Sequence, residues 1–130
     1  MDNVKLVQNL YHCFAEGKIQ EVISFFDNEA VWVRPGEPDI SFSGTFTGHG
    51  GMIKMLTLVQ QTIRLKKFFP EKFYSDNNSV TVLGEDEAEV LTTGKSYKTK
   101  WVQVFQIRNE KIIHVQVYID SLTIAKAMLP

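Results

Sequence analysis

Apolar residues recur every three or four positions at the start of this chain and every second position toward its end. Val4, Leu6, Val7, Leu10, Tyr11 and Phe14 share one side of a predicted helix. Asp2 or Asn3 stands where its cap belongs, and Gly17 where it stops. Ile19, Val22, Ile23 and Phe26 give a second short helix, so the two read as a helical hairpin. Ala30 to Arg34 is a short strand, stopped by Pro35-Gly36 and Pro38. Ser43 to Gly48 reads as a turn leading into a third helix. That helix spans about Gly50 to about Leu65, with Ile53, Leu56, Val59 and Ile63 along it.

From Lys66 onward the period is that of strands. Phe68 to Tyr74 is one, bent at Pro70, and Ser79 to Thr92 is the next. Tyr97 to Arg108 follows the Thr93-Gly94-Lys95 turn, and Lys111 to Asp120 follows Asn109-Glu110. Ser121 is placed to cap a short closing helix that ends at Pro130. Helices followed by a strand meander indicate an α+β domain over residues 1–130. The strand around Asp86 is unusual. Glu85, Glu87 and Glu89 share one face, which must meet water. Val82, Gly84, Asp86, Ala88 and Val90 share the other, which reads as buried. A carboxylate on a buried face must be paired, protonated or at work.

Composition narrows the function classes. The chain has 130 residues, 44% of them hydrophobic and 22% charged, as in an ordinary soluble domain. Its net charge of −1 offers no basic excess for nucleic acid. One cysteine, Cys13, allows no intrachain disulfide. No apolar run reaches the ~20 residues that span a bilayer, and the start does not read as a signal peptide, so the expected address is cytoplasmic. No phosphate loop or metal-ligand spacing is present, so no cofactor and no metal are expected.

Several segments carry a family resemblance over nearly the whole chain. They are Ala15-Glu16-Gly17-Lys18, Ala30-Val31-Trp32-Val33-Arg34-Pro35, and Gly44-Thr45-Phe46-Thr47-Gly48-His49. Trp101-Val102-Gln103-Val104-Phe105, Glu110-Lys111-Ile112-Ile113 and Tyr118-Ile119-Asp120 complete the set. With them the chain resembles the nuclear-transport-factor-2-like (NTF2-like) superfamily in its SnoaL-like branch. The resemblance implies a cystatin-like cone. Three helices would pack on a curved, mixed, mostly antiparallel sheet, with a short C-terminal helix. It implies less about chemistry, because one fold hosts many activities. The ketosteroid isomerase positions for base, tyrosine and protonated aspartate fall on Arg34, Leu10 and Gln103, with Tyr11 one step off. That mechanism is therefore rejected. The polyketide-cyclase acid falls on Val117. The limonene-type epoxide hydrolases are nearer: their two aspartates fall on Asp86 and Asp120, but their arginine falls on Gly84. Their water-holding tyrosine and asparagine fall on Trp32 and Arg34.

The candidate catalytic residues are Asp86, Arg34 and Asp120. Asp86 is either a pocket carboxylate facing Arg34 or, after a one-residue bulge, a solvated strand acid. Arg34 shares a strand face with Trp32 and either forks to a carboxylate or anionic ligand, or lies on the surface. Asp120 either serves the chemistry or caps the closing helix. His49 reads as a pocket-mouth acid/base or as a helix-start residue without chemistry. The expected pocket wall is Leu10, Phe14, Trp32, Val59 and Ile63 from the first half of the chain. Trp101, Gln103, Phe105, Val115 and Val117 would supply the rest. The ligand expected there is a small hydrophobic molecule. The activities that fit are cofactor-independent epoxide hydration, isomerisation or dehydration. The rival reading is a non-catalytic ligand-binding or dimerisation module, and a homodimer is the expected assembly.

Overall fold

The structure is a computed structural model that describes residues 2–130. Helix α1 (Asn3–Ala15) is capped by the Asp2 carboxylate, which accepts from the Val4 N–H at 3.0 Å. It ends at Gly17, whose φ of 73° suits a residue without Cβ. Helix α2 (Ile19–Ser24) follows, then strand β1 (Phe26–Arg34). Strand β2 (Gly44–Thr47) leads straight into helix α3 (Gly48–Thr62). Strands β3 (Ile63–Ser75), β4 (Ser79–Val90), β5 (Ser96–Arg108) and β6 (Lys111–Ile119) form the meander, closed by helix α4 (Ser121–Met128).

The six strands make one sheet in the order β2-β1-β6-β5-β4-β3, with β1 and β6 parallel and every other pair antiparallel. This is the expected α+β architecture. Four local expectations change. Strand β1 begins at Phe26 rather than Ala30, because Phe26 pairs with Ile112 before a bulge resets the register at Val31. Gly44–Thr47 is a short edge strand rather than a turn, paired through Trp32↔Phe46. The third helix ends at Thr62, and Ile63 to Leu65 belong to β3, where Ile63 pairs with Val90. Asp120, not Ser121, caps α4. Pro70 is tolerated because β3 is an edge strand and its register shifts between Pro70 and Lys72.

All four helices bury their apolar sides on one face of the sheet. Leu6, Val7 and Tyr11 of α1 meet Val80, Val82 and Phe105 in the larger core. Ile124 and Ala127 of α4 meet Ala88, Val90 and Tyr97 in a smaller one. Strand β4 alternates along its whole length: Val80, Val82, Gly84, Asp86, Ala88 and Val90 are buried, and the glutamates between them reach water.

Gly84 is needed for a close approach. The Trp101 indole lies flat against its backbone, and a Cβ at Gly84 would come within 2.3 Å of Trp101 Cζ2. Phe68 stacks on the same indole, with centroids 5.1 Å apart and planes at 12°. We therefore expect Gly84→Ala to destabilise the fold by about 1–3 kcal/mol through overpacking. Trp101→Leu should relieve most of that penalty in the double variant. Urea denaturation of the three variants checks this, and a Gly84→Ala protein as stable as wild type would refute the packing.

Candidate functional site

Between α1, α3 and the inner sheet face lies a narrow cavity of about 90 Å³. It is smaller than the ~150 Å³ engineered cavity that holds benzene. Its wall is apolar except at Tyr11, Arg34, Asp86, Gln103 and the indole nitrogen of Trp32. Leu10, Phe14, Trp32, Val59, Ile63 and Gln103, six of the expected wall residues, line it. Phe14, Val59 and Ile63 also border a surface groove that reaches Ile53 and Leu91.

Four other expected wall residues are placed elsewhere. Trp101, Phe105, Val115 and Val117 are buried in the larger core rather than at the cavity. Trp101 is turned onto Gly84 by its stack with Phe68, so Phe68 presents the aromatic surface instead. Phe42, Met52 and Met55 also line the cavity, and the sequence pattern did not single them out. Met52 and Met55 sit three residues apart on one side of α3, a spacing that marks them as inward-facing. Phe42 lies in an irregular segment, where no period signals burial.

Asp86 points inward, between Phe68 of β3 and Thr99 of β5 in the cross-strand row. The Thr99 hydroxyl donates a hydrogen bond to its carboxylate. Burial raises the proton affinity of Asp86 above the ordinary range, while the Thr99 bond and the Arg34 charge oppose the rise. Arg34 extends inward from β1, its guanidinium carbon 4.6 Å from the centroid of the Phe42 ring. Burial pulls its proton affinity down, and Tyr97 and Asp86 offset this. The two charges feel each other but form no ion pair within 4.0 Å among the described residues. The Tyr97 phenol is buried near both and is pushed up to about 12.

At the opposite polar point, the Tyr11 hydroxyl donates to Gln103 Oε1 at 2.7 Å. Tyr11 is ringed by Phe68, Phe73, Trp101 and Phe105. Burial holds its phenol well above its ordinary value, so it stays a hydrogen-bond donor. Leu10, on which the isomerase tyrosine position falls, lines the cavity as an expected apolar wall residue, and Tyr11, one step on, reaches Gln103. Asp120 is not at the cavity. Its carboxylate accepts from the Thr123 N–H at 3.1 Å and from the Thr123 hydroxyl at 2.6 Å, capping α4. His49 is held by the Phe26 carbonyl at 2.8 Å, tying the start of α3 to β1. Among the described residues no group of three His, Cys, Asp or Glu side chains could hold a metal ion. No helix among them is long and apolar enough to cross a membrane.

Residues 7–115 match the SnoaL-like domain family. The chain belongs to the SnoaL-like family. Among solved structures, this SnoaL-like chain is similar to an NTF2-like protein from Burkholderia xenovorans LB400. The identity is 24%, over 98% of this chain and 95% of that one, with a TM-score of 0.88. It is similar to an NTF2-like protein of unknown function from Burkholderia pseudomallei K96243 at 21% identity, over 100% of both chains, with a TM-score of 0.92. TerC, co-crystallised with polyporic acid, matches at 22% identity over 97% of both chains, with a TM-score of 0.84. At these identities the structural likeness establishes the NTF2-like fold. No curated protein matches the sequence.

Two expectations follow from the polar groups. Tyr11→Phe leaves Gln103 Oε1 buried without its donor and should lower stability by about 1–3 kcal/mol. Adding Gln103→Met, which removes the orphaned amide, should recover part of the loss. Chemical denaturation decides it, and full additivity of the two losses would contradict the bond. For Asp86, the folded carboxyl keeps its proton to higher pH than the unfolded one, whose ordinary value is 3.8. The native state therefore binds more protons in that window, and stability falls as pH rises from 3.8 through the folded value. Asp86→Asn removes this dependence, so the variant should gain on wild type as the pH is raised. Parallel melting curves across acid and neutral buffers would show a constant gap if Asp86 were unperturbed.

Proposed function

We propose that this SnoaL-like protein is a cofactor-independent acid/base enzyme acting on a small hydrophobic molecule held in the cavity. One observation carries the reading: a carboxylate whose proton affinity is raised by burial lines a cavity that is otherwise almost wholly apolar. Such a group exchanges a proton closer to neutral pH than an ordinary aspartate does. In this reading Asp86 carries the proton and Thr99 orients it. Arg34 stabilises negative charge that builds on the substrate in a site that excludes water. Isomerisation, dehydration and epoxide hydration all use this set. The epoxide-hydrolase arrangement enters only in altered form. Gly84 lies under Trp101 where that family has its arginine, and Asp120 is engaged in capping. TerC offers support at the level of fold alone, as a chain of this shape crystallised with a small organic molecule.

The test is a screen of small ketones, alcohols and epoxides for thermal stabilisation and then for turnover. On any substrate found, Asp86→Asn should lower turnover by roughly 10²–10⁴-fold with the fold intact. Unchanged turnover in that variant would remove Asp86 from the chemistry.

The dimerisation reading draws on a different observation. The sheet face away from the helices carries an apolar row across three strands, Leu83, Val102 and Tyr118, and Tyr118 is 57% exposed. A second copy of the chain would cover this row, and the cavity on the other face would be untouched. Tyr118→Asp should then convert a dimer to a monomer in light scattering, whereas a wild-type monomer would dispose of the reading.

A further inference from the structure

We propose that the molecule held in the cavity is a small organic acid, with its carboxylate on Arg34 and its apolar tail along the α1–α3 wall. The inference rests on the cavity reading above and adds the charge of the ligand. Its basis is an imbalance of hydrogen-bond donors. The Arg34 guanidinium makes no hydrogen bond to any described residue, and its Nε is fully buried without a partner. Trp32, two positions earlier on the same strand face, also lines the cavity and has its Nε1 buried without an acceptor. Buried polar groups are almost always paired, so two unpaired donors on one strand face, both at the cavity, call for an acceptor there.

The protein's own acids do not fill the role. Asp86 is bonded by Thr99 and makes no ion pair with Arg34 within 4.0 Å among the described residues. Gln103 Oε1 already accepts from Tyr11. Ordered water could pair these donors but would leave the guanidinium charge uncompensated, so the role suits a ligand rich in acceptors. A carboxylate has only acceptor atoms, matches the planar fork of a guanidinium, and cancels its charge in a low-dielectric site. The remaining wall, including Leu10, Phe14, Met52, Met55 and Val59, is apolar, so the rest of the molecule should be hydrocarbon. A cavity of about 90 Å³ fits a short chain better than a ring system without rearrangement.

Butanoate and its neutral isostere butanamide test the inference by calorimetric titration at neutral pH. Removing one partner of a buried, hydrogen-bonded charge pair weakens binding by roughly 30-fold or more. Wild type should prefer butanoate by that factor, and Arg34→Met should bind the two probes alike. Equal binding of both by wild type would overturn the acid assignment and leave the apolar cavity standing. Binding of neither would overturn both. A measurement on wild type covers the case in which Arg34→Met fails to fold. The Arg34 Nε–H resonance should shift on adding butanoate and stay in place with butanamide. A resonance unmoved by butanoate would overturn the assignment.

Discussion

The structure turns on an indole lying against bare backbone. Trp101 covers Gly84 on the neighbouring strand, at a distance only a residue without Cβ permits. That placement fixes the aromatic layer. Phe68 stacks on the outer side of the indole, and Tyr11 packs edge-on against Phe68 and Phe105. Tyr11 then reaches Gln103, which ties α1 to β5 through a buried hydrogen bond. With the large ring displaced toward Gly84, the next inward position on β4 faces open space, and that position is Asp86. The cavity thus follows from a packing decision two residues away from its acid.

The polar groups at the cavity form two unlike sets. Tyr11 and Gln103 satisfy each other and act as structural members of the core. Arg34 and Trp32 are left with unpaired donors, and Asp86 is held by Thr99 without an ion pair to Arg34. Separating a buried acid from a buried base costs stability, since neither charge gains the full attraction of contact. Both perturbations run in the direction burial dictates: the acid holds its proton more tightly and the base less so. Groups strained this way are a recurring property of functional sites. In the proposed reading, the same physics would join proton transfer at Asp86 to anion binding at Arg34. Neutralising one charge changes the environment of the other.

Strand alternation made part of this site legible. The period of two along β4 marked Asp86 as inward-facing, and the same rule put Arg34 beside Trp32 on β1. The expected helices and the antiparallel meander are present, and the family resemblance described the fold correctly. Where the reading failed, packing rather than periodicity made the decision. Trp101, Phe105, Val115 and Val117 have the right period for an inner face, but an inner face includes both cavity wall and solid core. Phe42 lines the cavity from a segment with no period at all. Ile63 fits a helical stripe as well as a strand, and its pairing with Val90 chose the strand.

The sequence by itself determined which way side chains point, because facing follows from the backbone geometry of each element. It also marked the inner sheet face as poor in charge, with Asp86 as its one acid unless a bulge turned that residue to water. The tertiary structure decided which inward residues meet empty space and which meet one another. It set Asp120 to capping α4, turned Tyr11 toward Gln103, and held Arg34 apart from Asp86. These outcomes depend on contacts between segments distant in the chain, such as Trp101 on Gly84. Local pattern carries no information about how much room such contacts leave.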